Sequence, residues 1–393
     1  MNPSNQANHV MPTYARFPLT LKQGKGAFVW DEAGKSYLDF VSGIAVNTLG
    51  HAHPDLVKTI SEQAATMLHC SNLYHIPQQN ALATRLCQLS GLNSVFFCNS
   101  GAEANEAAIK IVRKYFFDQQ SPRRHIITAT QSFHGRTMQT LTATGQDKIK
   151  VGFDPLPLGF QHVPLNDIQA LSKAIDDNTA AILLEPLQGE GGVHLAQAAY
   201  LQAVRQLCDK HGILLILDEI QTGVGRCGTM FAFEQAGIRP DILTLAKGLG
   251  GGIPIGAMLA SAQVSPALNA GSHGSTFGGN PMSCAAALTV LEVIERDDLL
   301  SNVQQRSAQM QTGLQNLVAQ YDCFDEVRGQ GLLLGLAANI DVAPIIHACR
   351  EHGLLILGAG PQVLRFLPAL TITAAEVEQA LFLVEKSMQG MHT

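Results

Sequence analysis

The sequence of 393 residues contains no cluster of lysine and arginine, and its net charge is −6 at pH 7. Nucleic acids and anionic membrane surfaces select basic proteins, so neither is expected as a partner. No apolar run approaches the roughly 20 residues that a membrane-spanning helix needs. The polar start of the chain lacks the charged-then-apolar pattern of a secretory signal. These absences predict a cytoplasmic protein with small-molecule partners.

Cysteine pairs of the Cys-x-x-Cys type are absent as well. The eight cysteines lie at unrelated spacings, which is typical of reduced core residues in a long cytosolic chain. His51 and His53 form a short histidine motif, but no further ligand follows at a recognisable spacing. The sequence therefore predicts no metal site.

The length of the chain predicts two domains. Between about 50 and 290, helical stretches alternate with short apolar runs, which indicates a mostly parallel sheet covered by helices on both faces. The predicted strands of this sheet are 95–98, 126–128, 181–184, 213–217, 242–245 and 256–260. We expect an N-terminal arm and hairpin at 1–45, a large α/β domain at 46–290, and a small α+β domain at 291–393, which the hairpin joins.

Lys247 follows the apolar run Asp241–Ala246 and precedes the glycine-rich stretch Gly248–Gly252. A lysine at the end of a buried strand loses hydration, which lowers the pKa of its amine and makes it a nucleophile toward carbonyl groups. The glycines let a ligand approach the backbone closely. A lysine near glycines is more often a solvated loop residue, but the strand before Lys247 favours the reactive interpretation.

Asp218 follows the apolar run Ile213–Leu217, which places it at the carboxyl edge of the predicted sheet, where ligands bind in open α/β folds. A carboxylate there keeps a pyridine ring nitrogen protonated, and the protonated ring withdraws electrons from a substrate carbanion. Gln221 lies three residues further on and is a candidate to hydrogen-bond a hydroxyl group of such a ring. The same strand resembles the magnesium-binding strand of P-loop ATPases, but the phosphate-binding loop is missing. The dinucleotide-like pattern Gly223–Gly228 is separated from the strand, and we interpret it as a turn.

Three loops supply candidate contacts for anions. The turn Asn99–Ala102 opens the predicted helix 103–117 and offers free N–H groups to a phosphate, although Ser100 and Glu103 also fit a plain capping box. In the loop 132–137, Phe133 can stack on a ring and Arg136 can bind a carboxylate. The alternative is a surface loop with a solvated arginine. The loop 271–281 is rich in hydroxyl groups and glycine, and by itself it indicates only a loop.

Together these segments resemble the class III (ω-amino acid) aminotransferases of the fold type I pyridoxal-phosphate enzymes. The similarity runs from Thr13–Phe17 almost to the C-terminus. The segments that carry it are 43–47, 50–54, 96–106, 133–137, 185–192, 218–226 and 246–252. The resemblance implies an α/β fold with a mostly parallel seven-stranded sheet and a small α+β domain. Ser275 and Cys227 stand where threonine is expected, and neither departure affects the chemistry.

The resemblance also implies a role for each matching residue. Lys247 would carry pyridoxal 5′-phosphate as an internal aldimine, Asp218 would pair with the ring nitrogen, and Gln221 would contact the ring oxygen. The other implied cofactor contacts are Phe133 on the ring and Ser100, Gly101, Ala102 and, from the other subunit of a homodimer, Thr276 on the phosphate. The implied substrate contacts are Arg136 and Ser275 at the α-carboxylate, and Glu190, which would mask Arg365 until 2-oxoglutarate binds.

The implied reaction is a ping-pong transamination from the δ-amine of N2-acetyl-L-ornithine to 2-oxoglutarate, as in arginine biosynthesis. The segment Asn99–Asn105 favours this donor over ornithine, N-succinylornithine and 4-aminobutyrate, and N-succinyl-diaminopimelate is a candidate second substrate. The non-enzyme alternative is a catalytically silent cofactor-binding regulator, against which the intact Lys247, Asp218 and Arg136 argue.

Overall fold

The computed structural model describes residues 9–390, so most of the polar start of the chain lies outside it. The strands are β1 (Leu21–Lys25), β2 (Phe28–Asp31), β3 (Ser36–Asp39), β4 (Ser94–Cys98), β5 (His125–Ala129), β6 (Phe160–Val163), β7 (Thr179–Leu184), β8 (Leu187–Gln188), β9 (His194–Leu195), β10 (Leu214–Asp218), β11 (Ile242–Leu245), β12 (Gly256–Ala260), β13 (Phe324–Gln330), β14 (Leu333–Ala338), β15 (Leu354–Leu355), β16 (Leu357–Gly358) and β17 (Val363–Phe366).

The helices alternate with these strands through the first three quarters of the chain. They are α1 (Ser42–Ala45), α2 (Pro54–Thr66), α3 (Pro77–Ser90), α4 (Gly101–Asp118), α5 (Met138–Ala143), α6 (Ile168–Ala174), α7 (Ala198–His211), α8 (Pro281–Arg296), α9 (Leu299–Gln320), α10 (Ala343–Glu351) and α11 (Ala374–Gln389). Short 3₁₀ turns cover Asp147–Ile149, Ala232–Ala236, Lys247–Gly250 and Ser265–Ala267.

The largest sheet has seven strands in the spatial order β4-β12-β11-β10-β7-β5-β6. All its neighbours pair in parallel except β12, which runs antiparallel to both β11 and β4. The strands β7, β10, β11 and β12 are buried along their whole length because helices cover both faces, which explains their continuous apolar sequences. The predicted mostly parallel seven-stranded sheet is confirmed.

Helix α4 covers the part of this sheet that is nearest to the site. Ser100 precedes its first residue, and the Ser100 hydroxyl accepts a hydrogen bond from the Glu103 N–H at 3.3 Å. Ala104, Ala107 and Ala108 are fully buried, and their small side chains let the helix lie close to β11 and β12. This helix therefore presents its first turn at the edge of the sheet where β10 and β11 end.

The remaining sheets are formed mainly by the two ends of the chain. Strands β13, β14, β17 and β16 form one antiparallel sheet. Strands β1, β2 and β3 form another, and β3 pairs in parallel with β15, so the N-terminal hairpin is bonded to the C-terminal segment. The hairpin turn lies at Asp31–Gly34. The numerical domain boundaries stay a prediction.

The predictions about membrane spans, cysteines and metal ligands can be compared with residues 9–390 as a whole. No helix in residues 9–390 is long and apolar enough to cross a membrane. All eight cysteines are free, and six of them are buried. Over the same residues, no group of three or more His, Cys, Asp and Glu side chains is arranged to hold a metal ion, and His51 is paired instead with Asp39 at 2.8 Å.

Candidate active site

The carboxyl ends of β10 and β11 bring Asp218 and Lys247 to one cavity of about 450 Å³. Asp218 is the last residue of β10, and it pairs in register with Thr244 of β11. Lys247 is the second residue after β11 and has a φ of 38°, an uncommon value for a residue with a side chain. The predicted residues that line the cavity are Ser100, Gly101, Ala102, Phe133, Arg136, Glu190, Asp218, Gln221 and Lys247.

The Lys247 amine makes no hydrogen bond or ion pair with any described residue of the chain. Its burial lowers the pKa of the amine, and the carboxylates of Glu190, Asp218 and Glu185 oppose this shift only in part. A larger fraction of the amine is therefore neutral near pH 7 than for an exposed lysine. A neutral, unpartnered amine is the form that attacks a carbonyl carbon.

Asp218 is held by groups that the sequence analysis did not single out. His134 Nδ1 lies 2.8 Å from Asp218 Oδ2, and Asn105 Nδ2 donates to the same oxygen at 2.7 Å. Among the described residues, Asp218 Oδ1 accepts only the N–H of Ile220, at 3.1 Å. Asn105 carried a usable signal, because it is a polar residue within the buried alanine stripe of α4.

The N-terminus of α4 forms the anion-binding end of the cavity. Ser100, Gly101 and Ala102 line it, at the point where the first N–H groups of a helix have no partner in the helix itself. Gly101 is required by close packing, because a Cβ there would lie 2.7 Å from Ile220 Cδ1. The phosphate-binding turn and the helix cap predicted from the sequence are compatible with each other. Ser100 caps the helix with its side chain, and residues 100–102 still line the cavity.

Ser275 and Thr276 do not line the cavity of their own chain. The Ser275 hydroxyl accepts hydrogen bonds from Asn99 Nδ2 and from the Gly278 N–H, both at 3.1 Å. Thr276 is exposed to solvent. Within one chain, Ser275 therefore stabilises its own loop, and the contacts implied for these residues stay predictions.

Glu185 is a buried carboxyl group in the cavity wall that the sequence analysis did not identify. Its Oε2 accepts the N–H of Phe133 at 3.0 Å, which fixes the loop that carries the predicted ring-stacking residue. Burial and the nearby charge of Asp218 raise the pKa of Glu185 well above its ordinary value. The exposed Arg136 lies over the Phe133 ring, with its guanidinium carbon 5.7 Å from the ring centre.

Glu190 and Arg365 form an ion pair beside the cavity. Glu190 Oε1 lies 2.7 Å from Arg365 Nη1, and Arg365 is only 2% exposed. Although burial raises the pKa of Glu190, the charge and hydrogen bonds of Arg365 outweigh this and hold it below its ordinary value. Gln221 Nε2 also donates to Glu190 Oε1, at 3.1 Å, while Gln221 Oε1 is buried without a partner among the described residues.

The cavity fits the functional groups of pyridoxal 5′-phosphate. The α4 N-terminus suits the phosphate, Asp218 Oδ1 suits a protonated ring nitrogen, and the free amine of Lys247 suits the aldehyde. The unpartnered carbonyl of Gln221 shows that the wall lacks one polar neighbour. The donor set therefore agrees with the cofactor that the sequence implies.

The known proteins that this chain resembles are aminotransferases. The family model described as aminotransferase class-III matches residues 10–388. The acetylornithine aminotransferase of Thermosynechococcus vestitus is 53% identical, over 96% of this chain and 95% of that protein. The N-acetylornithine aminotransferase structure from Stenotrophomonas maltophilia has a TM-score of 0.84 and 41% identity, over 96% of this chain and 97% of that one. An ornithine aminotransferase structure from Toxoplasma gondii with partial occupancy of PLP at its active site has a TM-score of 0.93 and 34% identity, over 96% and 92%.

Proposed function

The chain belongs to the class-III aminotransferases, and we propose that it moves the δ-amino group of N2-acetyl-L-ornithine to 2-oxoglutarate. The products are N-acetyl-L-glutamate 5-semialdehyde and L-glutamate, and the reaction is a step of arginine biosynthesis. The observation that carries this proposal is one cavity with a half-buried lysine that has no partner among the described residues, a carboxylate, and the masked arginine Arg365 beside it. The curated relatives named acetylornithine aminotransferase supply the choice of donor.

The enzyme works with pyridoxal 5′-phosphate. When bound, this cofactor supplies an aldehyde that accepts the amine and a ring that withdraws electrons from the reacting carbon. The backbone N–H groups at Ser100, Gly101 and Ala102 would hold the phosphate. Asp218 would keep a proton on the ring nitrogen, and Phe133 would contact the ring. Lys247 would hold the cofactor at its Nζ and would also move a proton from the δ-carbon of the substrate.

Arg136 binds the substrate α-carboxylate with its planar guanidinium, with Ser275 nearby. Glu190 covers Arg365 while the amine donor is bound, because the δ-carbon of this donor carries no carboxylate for Arg365 to bind. When 2-oxoglutarate enters, its second carboxylate displaces Glu190 and takes the same guanidinium. One cavity thus accepts two substrates of different charge in turn, which a ping-pong reaction requires.

The proposed assembly is a cytoplasmic homodimer in which Thr276 of each subunit contacts the phosphate held by the other. The exposed position of Thr276, away from the cavity of its own chain, supports this arrangement. The proposed domains are an N-terminal arm and hairpin at 1–45, a large cofactor-binding domain at 46–290 and a small domain at 291–393.

The donor is tested by comparing kcat/KM for N-acetylornithine, ornithine, N-succinylornithine and 4-aminobutyrate, each with 2-oxoglutarate. We expect the highest value for N-acetylornithine. Ornithine is the second candidate, because an ornithine aminotransferase is among the similar structures. A higher value for any other amine would keep the reaction class and overturn the proposed substrate.

A further inference from the structure

Asn105 is a fully buried amide whose donors and acceptor are all engaged. Its Nδ2 donates to the His134 carbonyl at 2.8 Å and to Asp218 Oδ2 at 2.7 Å. Its Oδ1 accepts the Thr244 hydroxyl at 2.8 Å. One side chain thus connects helix α4, the loop after β5 and the ends of β10 and β11.

Thr244, together with the His134 carbonyl, determines which end of the Asn105 amide faces Asp218. Because the Thr244 hydroxyl donates to Oδ1, the NH₂ group is turned toward the carboxylate. The reversed amide would bring two oxygens together and leave a buried donor unpaired, and both are unfavourable in a dry site. Thr244 lies opposite Asp218 in the β10–β11 register, so strand pairing itself places the three groups in line.

The result is an asymmetric carboxylate. Asp218 Oδ2 contacts both Asn105 and His134, whereas Oδ1 receives a single backbone N–H at 3.1 Å from residues 9–390. Oδ1 therefore keeps a lone pair available for a further donor in the cavity. Rotation of the carboxylate would break the two shorter contacts, so the orientation is fixed before any ligand binds.

We propose that Thr244 and Asn105 are positioning residues that aim Asp218 Oδ1 at the ring nitrogen of the cofactor. This inference rests on the proposed function for the identity of the ring. Neither residue lines the cavity, so both act only through Asp218. Apolar residues of the same shape would still fill both positions, which makes the hydrogen bonds separable from the packing.

The test uses the holoenzyme loaded with pyridoxal phosphate that is ¹⁵N-labelled at the ring nitrogen. The ¹⁵N chemical shift is followed against pH in the unaltered protein and in Thr244→Val, Thr244→Ser and Asn105→Leu. We expect Thr244→Val and Asn105→Leu to lower the midpoint for ring-nitrogen protonation by about one pH unit, a tenfold change in the proton equilibrium. Thr244→Ser, which keeps the hydroxyl, should stay within about 0.3 units of the unaltered protein.

Thr128→Val is the matched control. Thr128 is a fully buried threonine on β5 of the same sheet, and its hydroxyl donates to the Ala143 carbonyl at 2.8 Å, away from Asp218. This variant should leave the midpoint unchanged even if it lowers the melting temperature. The proposal is overturned if Thr244→Val also leaves the midpoint unchanged, or if Thr244→Ser shifts the midpoint as much as Thr244→Val does. If Asn105→Leu does not fold, the result for Thr244→Val decides the question.

The outcome is separable from that of the proposed function. If the unaltered protein binds the cofactor but does not transfer an amine from N-acetylornithine, the proposed substrate is wrong. The shift of the ring-nitrogen midpoint in Thr244→Val would still support the positioning role.

Discussion

Replacing Glu190 by glutamine tests whether Glu190 masks Arg365 while the amine donor is bound. The Glu190–Arg365 ion pair has contacts of 2.7 and 3.3 Å, and Gln221 adds a hydrogen bond at 3.1 Å. Glutamine keeps the length of the side chain and one carbonyl oxygen, but it removes the negative charge. Arg365, which is 2% exposed, then presents an uncompensated charge next to the cavity.

The size of the effect follows from burial. Removing one partner of a fully buried ion pair costs roughly 3–5 kcal/mol. The Glu190 side chain is 29% exposed, so solvent screens part of this energy and the cost falls to about 1–2 kcal/mol. In this variant, the dicarboxylate 2-oxoglutarate no longer competes with a Glu190 carboxylate for Arg365. Bound N-acetylornithine, in contrast, leaves the charge of Arg365 unpaired. The ratio of kcat/KM for 2-oxoglutarate to that for N-acetylornithine should rise about tenfold or more.

Single-turnover measurements of the two half-reactions, followed by the absorbance of the bound cofactor, give the two kcat/KM values separately. Glu326→Gln is the control, because Glu326 pairs with Arg328 at 2.7 Å and lies outside the cavity; it should change neither value. If Glu190→Gln leaves the ratio unchanged, or lowers both half-reactions equally, Glu190 does not mask Arg365.

Three further predictions concern the cofactor. Lys247→Ala should abolish both amine transfer and the visible absorption band of the lysine-bound cofactor, and retention of both would rule out the assigned role. Asp218→Asn should still bind the cofactor, as measured by equilibrium titration, but should transfer the amine much more slowly; a near-normal rate would remove the electronic role of Asp218. Because burial lowers the pKa of Lys247, the neutral amine forms at a lower pH than in free lysine, and the rate of cofactor capture by the cofactor-free protein should level off below pH 10.5, the ordinary value. A rate that keeps rising as it does for free lysine would contradict the effect of burial.

The central sheet was predictable because its inner strands are apolar along their whole length. The predicted run at 242–245 coincides with β11, and β10 ends at Asp218 as the end of the run 213–217 suggested. The edge strand β6 and the exposed strand β1 were not predicted, because neither has a continuous buried face. The antiparallel direction of β12 also has no local signal, since a fully buried strand has the same apolar composition in either direction.

The contacts around Asp218 were not predictable from local patterns. Asn105 and His134 lie 113 and 84 residues away from Asp218 along the chain. A buried polar residue acquires its role only from partners that the fold brings together. The Glu190–Arg365 pair, separated by 175 residues, was expected only through the family resemblance. Glu185 was missed for the same reason, because its partner is the backbone of Phe133.

The assignment of Lys247 is tested most directly by finding which residue holds the cofactor. The protein loaded with pyridoxal phosphate is reduced with borohydride, which fixes the cofactor to the amine that binds it, and the digested peptides are analysed by mass spectrometry. We predict that the added mass lies on Lys247 alone. Labelling of a different lysine, or no stable label, would show that Lys247 is not the reactive residue of this site.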